Sequence, residues 1–125
     1  MKRIIISSKA PKAVGAYSQA VEKNGMLFVS GQVALKPKDN VMVEGGIVEQ
    51  TTQVLENIKA ILNEAGYTFD DIVKCTCLLT DLGNFKEFNI IYSKYFDDEP
   101  PARVTCEVCS LPIGALVEID CIAVK

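Results

Sequence analysis

One long amphipathic stretch constrains the fold of this 125-residue chain more than any other feature of its sequence. Between Gly46 and Ala65 the apolar side chains recur every three or four residues, and Gly66 follows where a helix can end in a left-handed turn. This apolar stripe consists of Ile47, Thr51, Val54, Leu55, Ile58, Ile61, Leu62 and Ala65. A helix with a single apolar stripe has to cover a second layer of structure, so the rest of the chain should supply that layer.

That second layer is predicted to be a sheet, because β-branched and aromatic residues dominate six other segments. A tight hairpin turn at Asn24-Gly25 is expected to join the second and third of these strands, since Asn-Gly is the preferred pair for such turns. The predicted strands are the "KRIII" segment at 2–6, then 16–22, 26–32, 71–81, 102–109 and 116–124.

A second helix is predicted over 84–96, where Asn84 and Glu87 resemble a capping box. Its aromatic side is formed by Phe85, Phe88, Tyr92, Tyr95 and Phe96. The element order is therefore β-β-β-α-β-α-β-β in a single domain, 1–125. These elements predict an α+β protein in which two helices pack on one face of a mixed sheet of about six strands.

The sheet face opposite the helices is also partly apolar, because residues 26–29 are apolar on both faces and Leu78, Leu116 and Ile122 add to the outer face. A bare apolar face of this kind predicts self-association. Alternation along 102–109 assigns Ala102, Val104, Cys106 and Val108 to the helices.

By the same alternation, Arg103 and Thr105 should lie on the outer face together with Glu118 and Asp120. Two interpretations of this grouping remain open. In the first, Arg103 forms an ion pair between subunits with Glu118 or Glu107; in the second, it is a carboxylate clamp beside an acid-base group in a pocket.

Composition excludes several chemistries. The chain has no histidine, which rules out an imidazole base and a histidine-ligated metal. Its net charge of −3, without a dense Lys/Arg cluster, argues against nucleic acid as a partner. It has no apolar run long enough for a membrane span, so a cytoplasmic protein is the default expectation.

The five cysteines suggest two interpretations, a zinc site or small buried side chains in a reducing compartment. Cys106 and Cys109 are an odd number of residues apart and should point to opposite faces, which weakens the zinc interpretation. No metal or cofactor is therefore expected. Whether Cys109 is reactive stays open.

Several segments, in this order, resemble the RidA family (reactive intermediate deaminase A, also described as endoribonuclease L-PSP or translation inhibitor). The resemblance covers nearly the whole chain. It is carried by "GAYSQAV" at 15–21, "LFVSGQVAL" at 27–35, "QTTQVLENIKAIL" at 50–62, "DIVKCTCLLTDLGNFKEFNIIY" at 71–92, "PPARVTCEV" at 100–108 and "VEIDCIAV" at 117–124.

The resemblance implies a chorismate-mutase-like fold and a homotrimer whose sheets face inward, with ligand clefts between subunits. It also implies hydrolytic deamination of 2-imino acids and their enamine tautomers, such as 2-iminobutanoate and 2-iminopropanoate, to 2-keto acids and ammonia. Two alternatives remain. One is a non-catalytic trimeric sensor of small keto or amino acids, and the other is the ribonuclease or translation inhibitor of the family's older names.

By the same resemblance, Arg103 corresponds to the residue that binds the substrate carboxylate. Glu118 corresponds to the acid that orients or activates water. Residues lining the cleft are Tyr17, Ser30, Gly31 and Asn89. Purely structural roles stay open for these four, namely core packing, a strand bulge and the tethering of a loop or helix.

Thr105 departs from the family pattern, because well-known imine-hydrolysing members carry cysteine two residues after the arginine. Its hydroxyl and backbone N–H can still contact a carboxylate or water, but thiol chemistry is impossible there. The sequence leaves open which imino acid is the physiological substrate and which enzyme produces it.

Overall fold

The fold confirms the predicted class and order of elements. The structure is a computed structural model that describes residues 1–96 and 98–125. Over these residues it forms a six-stranded mixed sheet and two α-helices. The elements are β1 (Arg3–Ile5), β2 (Ala20–Lys23), β3 (Met26–Gln32), α1 (Ile47–Ala65), β4 (Ile72–Leu79), α2 (Phe85–Ser93), β5 (Ala102–Glu107) and β6 (Val117–Val124).

The strand order in the sheet is β1-β2-β3-β6-β4-β5. Neighbouring strands are antiparallel except β4 and β5, which are parallel and are connected through α2. The final strand, β6, therefore lies at the centre between β3 and β4, and β5 forms one edge. Most of the predicted site residues lie on β3, β5 and β6; β3 is next to β6, and β4 separates β6 from β5.

Both helices pack on one face of the sheet, as predicted, and the core lies between the two layers. Along β6 every second side chain is buried, and burial of each large aliphatic side chain stabilises the fold by about 1.5–3 kcal/mol. The buried members of β6 are Val117, Ile119, Cys121 and Ala123.

The helix and hairpin ends also agree with the sequence. The backbone N–H of Gly46 donates to Glu49 Oε1 at 2.8 Å at the start of α1, and Gly66 ends the helix with φ +84°. Asn24 and Gly25 have φ values of +54° and +74°, which is the left-handed pair required by a two-residue hairpin turn of type I′.

The predicted second strand, 16–22, was too long at its start, because β2 begins only at Ala20. The buried amide of Gln19 occupies the preceding loop. Its Oε1 accepts from the Ser7 N–H at 2.6 Å and its Nε2 donates to the Pro11 carbonyl at 2.7 Å. The side chain of Gln19 therefore holds this segment against the N-terminal loop, and 16–19 do not belong to strand β2.

Two further details were wrong. Asn84 makes no side-chain capping bond at the start of α2, and the carboxylate of Asp81 instead accepts from the Gly83 N–H at 2.8 Å in the turn before the helix. Strict alternation along 71–81 places Val73 on the same face as Cys75 and Cys77, but Val73 is exposed, because a register shift between Ile72 and Lys74 gives its core position to Ile72.

Candidate functional site

Arg103 lies on the helix side of β5, where α2 holds it in place. Its Nη1 donates to Asn89 Oδ1 at 2.8 Å. The guanidinium carbon is 4.7 Å from the centroid of the Tyr92 ring and 5.5 Å from that of Phe85, so the cation rests against two aromatic faces. Because Phe85, Asn89 and Tyr92 are spaced by four and three residues, one side of α2 presents all three.

This position corrects the prediction for β5. Arg103 and Thr105 point towards α2, whereas Val104 is 49% exposed and Cys106 is also exposed on the outer face. The alternation was right, but the faces were exchanged. The guanidinium of Arg103 packs against aromatic rings of its own chain. Its apolar neighbours on β5, Val104 and Cys106, are exposed on the outer face.

Thr105 lies two residues further along the same face. Its Oγ1 is buried and has no hydrogen-bond partner among residues 1–96 and 98–125. Together with Leu82, Phe85 and Arg103 it lines an open depression at the edge of the sheet. The hydroxyl itself is enclosed within the single chain, and Thr105 pairs in register with buried Cys77 of β4.

Glu118 lies on the opposite face of the sheet, on β6, against Gly31. Between Val29 and Gln32, strand β3 has one residue more than its partner, which makes a bulge at Ser30-Gly31. A Cβ atom on Gly31 would overlap the carboxylate of Glu118, so any other residue here would displace that side chain from its present position. Burial raises the pKa of Glu118, and the nearby charge of Asp120 raises it further.

Tyr17 and Ser30 stand beside Glu118. The Ser30 hydroxyl donates to the Ser18 carbonyl at 2.6 Å, and the Tyr17 hydroxyl accepts from the Val14 N–H at 3.4 Å. Tyr17 is 53% exposed, which excludes the core-packing alternative in the single chain. With Gly31 and Glu118 they line a cleft of about 680 Å³, whose other walls include Val14, Val33, Leu35, Pro112 and Ile113.

The candidate residues therefore form two separate groups. We call Asn89, Arg103 and Thr105 the clamp half-site, and Tyr17, Ser30, Gly31 and Glu118 the acid half-site. Strand register shows that they lie on opposite faces, because Cys75 pairs with Arg103 and Cys121, whereas Leu78 pairs with Cys106 and Glu118. The prediction that Arg103 and Glu118 share a face of one chain was wrong.

The acid half-site lies on a sheet face with many exposed apolar side chains. Phe28, for example, is 43% exposed although it lies in the middle of β3. Other exposed apolar side chains on the sheet are Ile4, Met26, Val73, Val104 and Val124. A contiguous apolar face of this kind is typical of a surface that another protein chain covers.

The cysteines behave as two sets. Cys75, Cys77 and Cys121 are buried, as expected for small core side chains, and burial raises the pKa of Cys77 to about 12. Cys106 was expected in the core but is exposed, because β5 presents its other face to α2. Within residues 1–96 and 98–125 no three His, Cys, Asp or Glu side chains stand close enough to hold a metal ion.

Sequence reasoning missed two parts of the site. The aromatic rings of Phe85 and Tyr92 beside Arg103 could have been predicted, because both residues flank Asn89 at helical spacing. From the sequence they were described only as part of the aromatic side of the helix. The position of Ile113 in the acid half-site could not be predicted, because it depends on the unusual turn Pro112–Gly114.

Comparison with known proteins agrees with this fold. The family model described as Endoribonuclease L-PSP matches residues 7–125. A RutC family protein of Saccharolobus solfataricus is 52% identical over 125 residues, which cover 100% of this chain and 99% of that protein. The 2-iminobutanoate/2-iminopropanoate deaminase of Mus musculus is 44% identical over 125 residues, covering 100% of this chain and 93% of the mouse protein.

A solved structure gives the same result. YyfA from Yersinia pestis, a member of the conserved Rid protein family, superposes with a TM-score of 0.97 at 48% identity, covering 100% of each chain. The fold and the two half-sites therefore define a small α+β protein of the Rid class. The chain belongs to the Endoribonuclease L-PSP family, which includes the RutC and Rid proteins.

None of the helices in the described ranges is both long and apolar enough to cross a membrane.

Proposed function

We propose that this chain hydrolyses 2-imino acids to 2-keto acids and ammonia. One observation carries the proposal, namely that the Arg103 guanidinium is oriented by Asn89 and Tyr92 and retains donors for a ligand. A guanidinium has five N–H donors, of which Asn89 accepts one. The ion pairs among residues 1–96 and 98–125 join Arg3 to Glu22 and Lys36 to Asp39, so neither involves Arg103.

A planar guanidinium held in this way binds a carboxylate through two parallel hydrogen bonds. Thr105 lines the same open depression as Arg103. The proposal requires that threonine can replace the cysteine of other members at this position. The name of the mouse relative supplies the substrate class, since it is a deaminase of small 2-imino acids.

The chemistry requires positioning more than a strong nucleophile. The carbon of a protonated imine is electrophilic, and water adds its oxygen there while Glu118 takes one of the water protons. The same carboxylic acid returns this proton to the nitrogen of the carbinolamine. Ammonia then leaves, and the hydroxyl becomes the keto group as it loses its proton.

A single chain cannot bring both half-sites to one small substrate, because the sheet separates them. We therefore propose that the clamp half-site of one copy meets the acid half-site of the next in a homotrimer. The exposed apolar sheet face supports this arrangement, since a neighbouring copy would cover it.

The test generates 2-iminobutanoate in place with threonine dehydratase, traps it with semicarbazide and measures how far the protein lowers semicarbazone formation. Arg103→Ala should abolish the effect, and Lys94→Ala, which removes an exposed cation beyond α2, should leave it unchanged. Light scattering should give the same oligomer for all three proteins.

Full activity of Arg103→Ala would refute the clamp. Binding of 2-ketobutyrate by the wild-type protein without any turnover would instead favour the sensor. RNA cleavage under metal-free, nuclease-clean conditions, with no effect on the imine, would favour a ribonuclease.

A further inference from the structure

Ile113 has an unusual backbone conformation. It lies in the short turn Pro112–Gly114 with a φ of +52°, in the left-handed region. Among the described residues, Asn24 and Asn40 are the other non-glycine residues with positive φ. Asparagine tolerates this region, whereas a β-branched side chain is strained there.

The surrounding residues hold the turn in this conformation. The N–H of Leu116 donates to the Oε1 of buried Gln50 at 2.9 Å, and the N–H of Ala115 donates to the Pro112 carbonyl at 3.1 Å. Ala115 is itself buried. The residues around Ile113 are thus fixed on the C-terminal side, and strained residues persist where their surroundings determine the backbone in this way.

The side chain of Ile113 gains little from its own chain, because it is 65% exposed. Gly114, the next residue, also has positive φ, at +67°, so the turn already uses glycine where strain has to be avoided. Isoleucine at 113 therefore adds strain without contributing to the core. Such a residue points to a role for its side chain outside the fold.

The side chain of Ile113 lies at the acid half-site. It lines the same cleft as Tyr17, Gly31 and Glu118. Aliphatic side chains form the adjoining walls of this cleft, namely Val14, Val33 and Leu35.

We propose that Ile113 is a specificity-determining residue that contacts the substrate side chain. It favours 2-imino acids with branched aliphatic side chains, of the leucine type, over those with a methyl group, of the alanine type. This inference rests on the proposed function, because the substrate carboxylate and imine have to be held by Arg103 and Glu118 for the side chain to reach this wall. The physical basis is the burial of aliphatic surface between the substrate and Ile113.

The test compares imines produced in place from leucine and from alanine by one amino-acid oxidase with catalase, at matched rates of production. Ile113→Ala should lower kcat/KM for the leucine-derived imine about tenfold and leave the alanine-derived imine within about twofold, as expected for loss of aliphatic contact in a specificity pocket. Ile90→Ala, an exposed isoleucine on α2, is the matched control and should change neither value.

Equal loss for both imines, or no loss for either, would overturn the inference. So would dissociation of the oligomer by Ile113→Ala, measured by light scattering, since Ile113 would then be an interface residue. Failure of the wild-type protein to act on either imine would refute the proposed function itself, which keeps the two failures apart.

Ile113→Gly provides a second variant that removes the strain as well as the side chain. Its thermal unfolding midpoint should equal or exceed that of the wild type at the same protein concentration, because glycine adopts positive φ freely. Its selectivity for the leucine-derived imine should fall as in Ile113→Ala. A lower midpoint would show that the side chain stabilises the fold, which would contradict a role in specificity.

Discussion

At the scale of single residues, the pairing of Glu118 with Gly31 is the part of the acid half-site most sensitive to substitution. The bulge in β3 brings the backbone of Gly31 against the carboxylate, and burial disfavours the charged form of Glu118. A carboxylate with a raised pKa takes a proton from water more readily than an ordinary one. The same burial that raises the pKa thus favours the proposed role in catalysis.

The pH dependence of kcat/KM should reveal this group. Glu118 has to be ionised to accept the proton, so activity should fall as the pH drops through its pKa, which lies above the ordinary value of about 4.3. Glu118→Gln should remove this acid limb and lower kcat/KM by about 10²–10⁴-fold. Rates would be followed with the imine-trapping assay from acid to neutral pH.

Asp120→Asn is a control for which the direction of the pKa change of Glu118 is known. The charge of Asp120 raises the pKa of Glu118, so its removal should move the acid limb to lower pH and leave the plateau rate nearly unchanged. An acid limb that stays in place in both variants would assign it to another group or to the imine itself.

Arg103 shows what could be predicted at this scale and what could not. The residue type and its neighbours predicted either an ion pair between subunits or a carboxylate clamp. The face of β5 on which Arg103 lies could not be predicted. Alternation divides the side chains of a strand between two faces but does not say which face packs against the chain's own core. The rule that apolar residues point inward failed on β5, where Val104 and Cys106 are exposed and Arg103 lies against aromatic rings.

At the scale of elements, polar side chains of α1 hold in place the loops that line the acid half-site. Asn57, fully buried on this helix, donates from Nδ2 to the carbonyl oxygens of Leu35 at 2.9 Å and Val33 at 3.3 Å. Gln50 accepts from the Leu116 N–H, as described above. Two polar side chains of one helix therefore fix both loops that contribute aliphatic walls to the cleft.

Asn57→Ala tests this support. The variant leaves two carbonyl groups without their donor and should lower the free energy of unfolding by about 1–3 kcal/mol. Urea titration at one protein concentration would measure the loss, since self-association makes the midpoint depend on concentration. Lys59→Ala, at an exposed position of α1, should change the free energy by less than about 0.5 kcal/mol.

The elements themselves were largely predictable. The long periodic pattern identified α1 within one residue of its observed start, and the Asn-Gly pair identified the hairpin. A bulge at Ser30-Gly31 was one of the alternatives left open and is present. The register shift near Val73 was not predictable, because it depends on which strand is the neighbour. The position of β6 between β3 and β4 could not be predicted either, because the order of strands along the chain does not fix their order in the sheet.

At the scale of the whole molecule, the two half-sites determine how an active assembly has to be built. They lie on opposite faces of one sheet, so a site with both Arg103 and Glu118 takes each from a different copy. The apolar outer face gives the copies a surface to share. If this arrangement is right, two inactive variants can restore each other when they assemble together.

Arg103→Ala and Glu118→Gln, each inactive alone, should regain activity when they are coexpressed in equal amounts. A working site needs Arg103 from a Glu118→Gln chain and Glu118 from an Arg103→Ala chain, so one site in each mixed trimer should be intact, which is about a quarter of all sites when the chains assemble at random. The readout is the rate in the imine-trapping assay per mole of oligomer, with its mass measured by light scattering.

The control coexpresses Arg103→Ala with the double variant Arg103→Ala/Glu118→Gln, which cannot supply an intact clamp and should stay inactive. Recovery confined to the first pair would show that the site crosses a boundary between copies. If mixed oligomers form and neither pair recovers, the half-sites do not meet across an interface, because every mixed oligomer offers such pairs of neighbours. That result would refute the proposed site between copies, although each variant shows that its own residue is needed for activity.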